Sequence, residues 1–265
     1  MSRYEAIERL LTRSAAAGDP DRLLPTWKYA DASQSGSRLL SGVVRWPLRV
    51  GGPATDGTGI AVHRDRRSAV LHAVFELLER TLLARLWYGG GIPFDGSAVE
   101  MVPEGIRLEV WCQIGHDVSF AVAEAHDNHL ETLTLGAAVR STATDAVEHA
   151  RAEAIMLLGS VRERAVPSHI QAEARERAAG LRGPLAAIRS AYLRSKIREA
   201  QSEVATRGTS DLFALAGVKP GDVDIAEIFS GPDWIFLRAI DDGALLIKDA
   251  RRVTSPSSIV PDPFC

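Results

Sequence analysis

Glu76, Glu79 and Arg80 stand three and four positions apart in the run Ala73-Val74-Phe75-Glu76-Leu77-Leu78-Glu79-Arg80-Thr81-Leu82-Leu83. On a helix these three share one face. A helix that is apolar on almost every other side is a buried one. Buried charge is costly unless it is paired or binds a metal. Two carboxylates on one turn also repel each other, and a divalent cation between them removes the repulsion. Mg²⁺ suits such a pair, because it takes one or two carboxylates and leaves its other positions to phosphate oxygens. The plainer use is a Glu–Arg pair at the margin of a core helix, and spacing alone leaves both uses open. Further on, Asp145, Glu148 and Glu153 lie in Thr144-Asp145-Ala146-Val147-Glu148-His149-Ala150-Arg151-Ala152-Glu153-Ala154-Ile155-Met156. Asp145 and Glu153 are about two helical turns apart and so face roughly one side. A solvated face of Glu–Arg pairs is the alternative. Asp56-Gly57-Thr58-Gly59 is a turn whose backbone N–H groups suit a phosphate, or simply a turn.

Other constellations carry less. His126 and His129 with Asp127 have the look of a metal pair, but no further ligand lies at a recognisable spacing. Cys112 falls in a segment of alternating hydrophobicity and reads as core. No nucleophile-elbow serine, Walker lysine loop or dinucleotide fingerprint occurs.

The elements that must position these residues follow from periodicity. Residues 4–17 form an amphipathic pattern with Ile7, Leu10 and Leu11 on one face, closed by Asp19-Pro20. Val43-Val44, Leu48-Arg49-Val50 and Ile60-Ala61-Val62 are short β-like pieces among turn signals. Residues 66–87 predict a long helix, stopped by Gly89-Gly90-Gly91 and Pro93. Residues 106–125 alternate around Gly115-His116-Asp117 and predict a hairpin. Leu133 to Val139 predicts a strand broken by Gly136. A second strong helix is predicted from Ser141 or Thr142 to Arg164, with its N-terminal turn near Thr144 or Asp145. Residues 170–206 read as one or two helices around Gly183-Pro184, and Asp222 to Ile240 as a strand pair. The class is α+β, with antiparallel sheet and two dominant helices.

Composition bounds what such a chain does. The 265 residues are 46% hydrophobic and 25% charged, an ordinary globular mixture. The 31 basic and 34 acidic residues sum to −3, so no global basic field points to nucleic acid or to a membrane surface. Apolar runs such as Ala154 to Leu158 are far below the ~20 residues that cross a bilayer. The N-terminus does not read as a signal peptide. Two cysteines, Cys112 and Cys265, make no disulfide framework and fit a reducing compartment, so a cytoplasmic protein is expected.

Taken in order, three of these signals resemble one family. Gly57-Thr58-Gly59, then Ser68-Ala69, then Glu76-Leu77-Leu78-Glu79-Arg80 is similar to the first nucleotide-binding motif of YcaO-domain proteins, a glycine turn before a Ser-Ala…Glu-x-x-Glu-Arg helix. Gly136-Ala137-Ala138, Asp145-Ala146 and Ala152-Glu153 resemble the second motif. Pro261-Asp262-Pro263-Phe264 resembles the family's proline-rich C-terminus. The resemblance implies one YcaO-like domain over 1–265, with an N-terminal extension at 1–50, nucleotide-binding motifs over 57–164 and a proline-rich tail at 255–265. Its fold would pack antiparallel sheets with the two long helices that carry the acidic motifs.

The resemblance also implies an activity. ATP and Mg²⁺ would activate a peptide backbone amide. A Cys, Ser or Thr side chain would then give an azoline, sulfide a thioamide and an amine an amidine. Carried over by residue, Glu76, Glu79, Asp145 and Glu153 would bind Mg²⁺, and Arg80 a phosphate. Gly57, Thr58, Gly59, Ser68 and Ser141 would bind nucleotide. Pro261, Pro263 and Cys265 would belong to a tail that organises the reacting centre. Phosphoryl chemistry is mostly positioning and charge neutralisation, which suits this residue set. The implied partners are a ribosomal precursor peptide, a separate leader-binding or sulfur-delivering protein, and a second copy of the chain in a homodimer. Thr58, Met156, Leu157, Asp145 and Cys265 depart from the family pattern. They leave a second implication, a non-catalytic YcaO-like subunit that serves as scaffold or peptide-binding partner.

Overall fold

The structure is a computed structural model that describes residues 22–43, 58–89, 91–102, 105–129, 131–163, 183–204 and 211–244. In chain order the elements are β1 (Leu23–Lys28), β2 (Gln34–Leu39), α1 (Leu40–Val43), β3 (Ile60–His63), α2 (Arg66–Tyr88), β4 (Gly96–Val102), β5 (Ile106–Ile114), β6 (Ser119–Asp127), β7 (Thr132–Arg140), α3 (Ala143–Glu163), α4 (Gly183–Val204), α5 (Leu212–Ala216), β8 (Asp224–Ser230) and β9 (Ile235–Ile240). Their packing divides them into two units. The first comprises residues up to Thr81 together with Ala216–Ala244, and the second comprises Leu82–Leu215. The boundary falls within α2. Among the described residues no helix is long and apolar enough to cross a membrane.

The first unit holds a five-stranded antiparallel sheet in the order β2-β1-β8-β9-β3. β1 alternates in burial, so Leu24 and Thr26 point inward. Leu24 joins Leu40, Val43, Val62, Ala226, Ile228 and Phe236 in one buried cluster. The predicted strand at Ile60 is found. Val43, expected to be β-like, instead closes the single helical turn α1. Burial of Leu40 and Val43 in that cluster outweighs the weak strand preference of so short a piece. The expected strand pair near the C-terminal end is β8 and β9, with a bulge between Glu227 and Phe229. The predicted pieces at residues 4–17, Val44 and 48–50 lie outside the described residues.

The second unit holds a four-stranded meander, β4-β5-β6-β7, antiparallel throughout. The hairpin predicted over 106–125 is β5–β6. Ala146, Ala150, Ala154 and Leu158 recur every fourth residue of α3 and meet Leu108, Val110, Ala121, Ala123, Ala125 and Ala138 of the sheet. Such small side chains bring the helix backbone close to the strands. Gly136 is the extreme case: a Cβ there would stand 2.2 Å from the Ala150 carbonyl oxygen and 2.5 Å from the Ala154 nitrogen. Gly136 therefore seats the helix and does not break β7, which runs unbroken from Thr132 to Arg140.

The other sheet face meets α4, which begins at Gly183-Pro184, where a proline in the first turn loses no hydrogen bond. On this face Glu109 of β5 lies directly opposite Glu124 of β6. Like charges so placed destabilise a ladder. Arg194 of α4 bridges them, with its Nη2 2.8 Å from Glu109 Oε2 and 2.9 Å from Glu124 Oε1. Arg107 Nη2 also reaches Glu109 at 2.8 Å, and the Ser190 hydroxyl donates to Glu124 Oε1 at 3.0 Å.

Candidate nucleotide and metal site

α2 begins where Asp65 caps it. The Ser68 N–H donates to Asp65 Oδ1 at 2.7 Å, and the Ala69 N–H to the Asp65 carbonyl at 3.0 Å. Hydrogen bonds from Ser68 hold the Asp65 carboxyl below the usual carboxylate range. Ser68, expected to meet nucleotide, therefore has its backbone and hydroxyl turned to the cap. Just upstream, Thr58 is buried and Gly59 has φ +74°. A Cβ on Gly59 would stand 2.2 Å from the Ala239 carbonyl oxygen, and Ala239 N–H donates to Gly59 O at 2.8 Å. The second glycine of the turn is thus required by its approach to β9. Gly57 lies outside the described residues.

Along α2, Glu76, Glu79 and Arg80 share a face, as their spacing predicts. Glu79 is 6% exposed, on a helix whose neighbours Val74, Phe75, Leu77, Leu78 and Leu82 are all buried. Arg80 Nε donates to Glu76 Oε1 at 2.9 Å and stands 4.0 Å from Glu79 Oε1. The Glu–Arg pair weighed from the sequence is therefore present. Hard carboxylate oxygens on one helix face are the donor type that Mg²⁺ takes.

The other carboxylates belong to the second unit. Thr142 caps α3: the Asp145 N–H donates to Thr142 Oγ1 at 3.1 Å, and that hydroxyl donates to Asp145 Oδ2 at 2.7 Å. Asp145 is exposed, and both bonds tie it to the capping Thr142. Ser141 is exposed and immediately precedes this cap. Two turns on, Glu153 is half-buried, and its Oε2 accepts the Ala137 N–H at 2.8 Å. Beside it, the buried Thr134 hydroxyl donates to the Ala154 carbonyl at 2.7 Å. Thr134 and the Ala137 amide were missed from the sequence, because nothing in their types marks a strand that will meet a carboxylate.

Within each unit, among the described residues, no three or more His, Cys, Asp or Glu side chains gather as a metal cage. Each helix supplies two of the four predicted ligands. His126 Nδ1 lies 2.9 Å from Asn128 Oδ1, and the His129 backbone N–H donates to Asp127, so that trio builds a turn. Cys112 is half-buried in β5, and burial, with Asp95 nearby, pushes its thiol pKa up. An inert core thiol is the result. Pro261, Pro263 and Cys265 lie outside the described residues.

No protein-family model and no curated protein matches the sequence. Solved structures do match its fold. A heterocyclase in complex with substrate and cofactor aligns with TM-score 0.55 and 15% identity, over 84% of this chain and 33% of that one. The chain thus spans about a third of that heterocyclase's length. A YcaO from Methanopyrus kandleri, bound with AMPPCP and Mg²⁺, aligns with TM-score 0.54 and 16% identity over 97% of this chain and 79% of its own. The E. coli microcin synthetase McbBCD complex with pro-MccB17 bound contains a chain aligning with TM-score 0.57 and 10% identity, over 91% and 71%. The fold is therefore α+β and YcaO-like.

Proposed function

We propose that this chain is a YcaO-type enzyme that uses ATP and Mg²⁺ to activate a backbone amide of a ribosomally made precursor peptide. One observation carries the reading. A buried Glu79, with Glu76 and Arg80 on the same helix face, occurs in a fold shared with a protein bound with AMPPCP and Mg²⁺. ATP, when bound with Mg²⁺, supplies the phosphoryl group that carries the amide oxygen away as phosphate, and the nucleophile that takes its place decides between azoline, thioamide and amidine. Glu76, Glu79, Asp145 and Glu153 hold the cation in this reading. Arg80 turns from Glu76 to a phosphate, while Gly57, Thr58, Gly59, Ser68 and Ser141 line the nucleotide. The 261–265 tail, with Pro261, Pro263 and Cys265, orders the reacting centre. A separate protein delivers the peptide or the sulfur, a division of labour supported by the multi-protein microcin synthetase.

The test is calorimetric titration of ATP with Mg²⁺ into wild type, Glu76→Gln and Glu79→Gln. Removing a ligand charge at constant shape should weaken binding on the order of 10-fold or more. Equal affinities in all three proteins would sink the assignment. Deleting residues 260–265 should abolish peptide modification, read by peptide mass, and leave ATP binding intact.

A second reading, a non-catalytic subunit that binds a partner, is favoured by Met156 and Leu157. Both are exposed on α3, where an apolar surface is of more use to a protein partner than to a nucleotide.

A further inference from the structure

Among the described residues β7 is the last strand of its sheet, so half of its backbone N–H groups face no other described strand. One of them, on Ala137, donates to Glu153 Oε2 at 2.8 Å. Three positions back, the Thr134 hydroxyl donates to the carbonyl of Ala154, the residue after Glu153, at 2.7 Å. Between them, Gly136 removes the side chain that would strike Ala150, Ala154 and the Glu153 Cβ. Three consecutive features of one strand edge therefore act on one helix position. The alanine seam cannot do this alone. Ala146, Ala150 and Ala154 recur every four residues. A slide of α3 by one turn, about 6 Å, would put alanine in place of alanine along most of the seam.

We propose that the edge of β7 is the positioning element for the Glu153 carboxylate. The Ala137 amide fixes Oε2, and Thr134 sets the helix register that brings Glu153 to that amide. The carboxylate is thus oriented before any cation arrives. This rests on the reading of Glu153 as a Mg²⁺ ligand. Thr134 and Ala137 touch neither cation nor nucleotide in it; they act through Glu153.

Two measurements test it. In the apo protein, the hydrogen exchange of the Ala137 amide is followed in wild type, Glu153→Ala, Thr134→Val and Thr134→Ser. Protection in wild type, lost in Glu153→Ala, reduced in Thr134→Val and restored in Thr134→Ser is the expected pattern. Titration with ATP and Mg²⁺ then follows in Thr134→Val, Thr134→Ser and Glu153→Gln. Thr134→Val should weaken Mg²⁺-dependent binding about 10-fold, as loss of a group behind a metal ligand does. Thr134→Ser should restore it.

An Ala137 amide that exchanges equally fast with and without Glu153, while Glu153→Gln still loses Mg²⁺, would overturn the positioning role and leave the metal reading standing. Glu153→Gln that binds Mg²⁺ and ATP like wild type, with the amide still protected by Glu153, would overturn the metal reading and with it the positioning of a ligand. If Thr134→Val melts early, Thr134→Ser and the wild-type exchange against Glu153→Ala still decide the matter.

Discussion

Glu76, Glu79 and Arg80 were legible because their relation is local: three residues within one turn, which any helix places on one face. The shared face and the Arg80–Glu76 bond both follow from that spacing. The roles of Ser68, Asp145 and Gly59 were less legible. Each serves local architecture, a helix cap or a strand contact, whose chemistry uses the same residue types as a phosphate site. Asp224 is a carboxylate that the sequence did not mark at all. Burial opposes its ionisation, but hydrogen bonds from Lys28, Arg38 and Ser35 prevail, and its pKa is lowered. Lys28 Nζ lies 2.9 Å from it and Arg38 Nη2 3.1 Å, while Arg38 also holds Asp242 at 2.8 Å. A folded pKa below the unfolded value of ~3.9 gives stability that is present above that pH and lost as pH falls through the folded pKa. Asp224→Asn should therefore lower the urea midpoint at pH 7. Its difference from wild type should shrink as pH falls below about 4. A difference that stays constant down to pH 2 would show that charge is not what Asp224 contributes.

Periodicity located the long helices, β3 and the strands β5 to β9, but it did not mark β1, although β1 buries alternate residues. It failed on β4, which is exposed on almost every residue and so shows no inside–outside alternation. It failed likewise on β2, whose Gln34-Ser35-Gly36-Ser37-Arg38-Leu39 is largely exposed. The glycine expected to interrupt β7 misled for another reason. Its purpose lies in a helix that follows in the chain, and no local pattern records that. The polar face of β5 and β6 also has no sequence signature, since Glu109 and Glu124 become opposite only through register. Their dependence on α4 is measurable. Glu124 is 2% exposed, and removing its cation strands a buried charge. Arg194→Ala should cost about 3 kcal/mol by chemical denaturation. Arg194→Ala with Glu124→Gln should recover part of that loss. A single mutant within about 0.5 kcal/mol of wild type would mean that the bridge contributes little.

At the scale of the whole chain, Glu76 and Glu79 lie in the first unit and Asp145 and Glu153 in the second. A ligand that binds only the folded state stabilises it by mass action. At ~100 times the dissociation constant the gain is about 2.7 kcal/mol. For a protein of this size that raises Tm by roughly 5–10 °C. Differential scanning fluorimetry with millimolar ATP and Mg²⁺ reads this directly, and no shift would favour the non-catalytic subunit. The connectivity of the units has a consequence in time as well. The meander of the second unit joins strands that are neighbours in sequence, whereas β1 meets β8 through Thr26 and Ala226, about 200 positions apart. Closing so long a loop costs about 2–3 kcal/mol more than closing one of ten residues. On the ribosome, β1, β2 and β3 emerge before β8 and β9, and the sheet that joins them waits for those later strands. The second unit, synthesised between the two halves of the first, can complete its sheet in the meantime. Strands translated before the whole meander thus complete their sheet only after it.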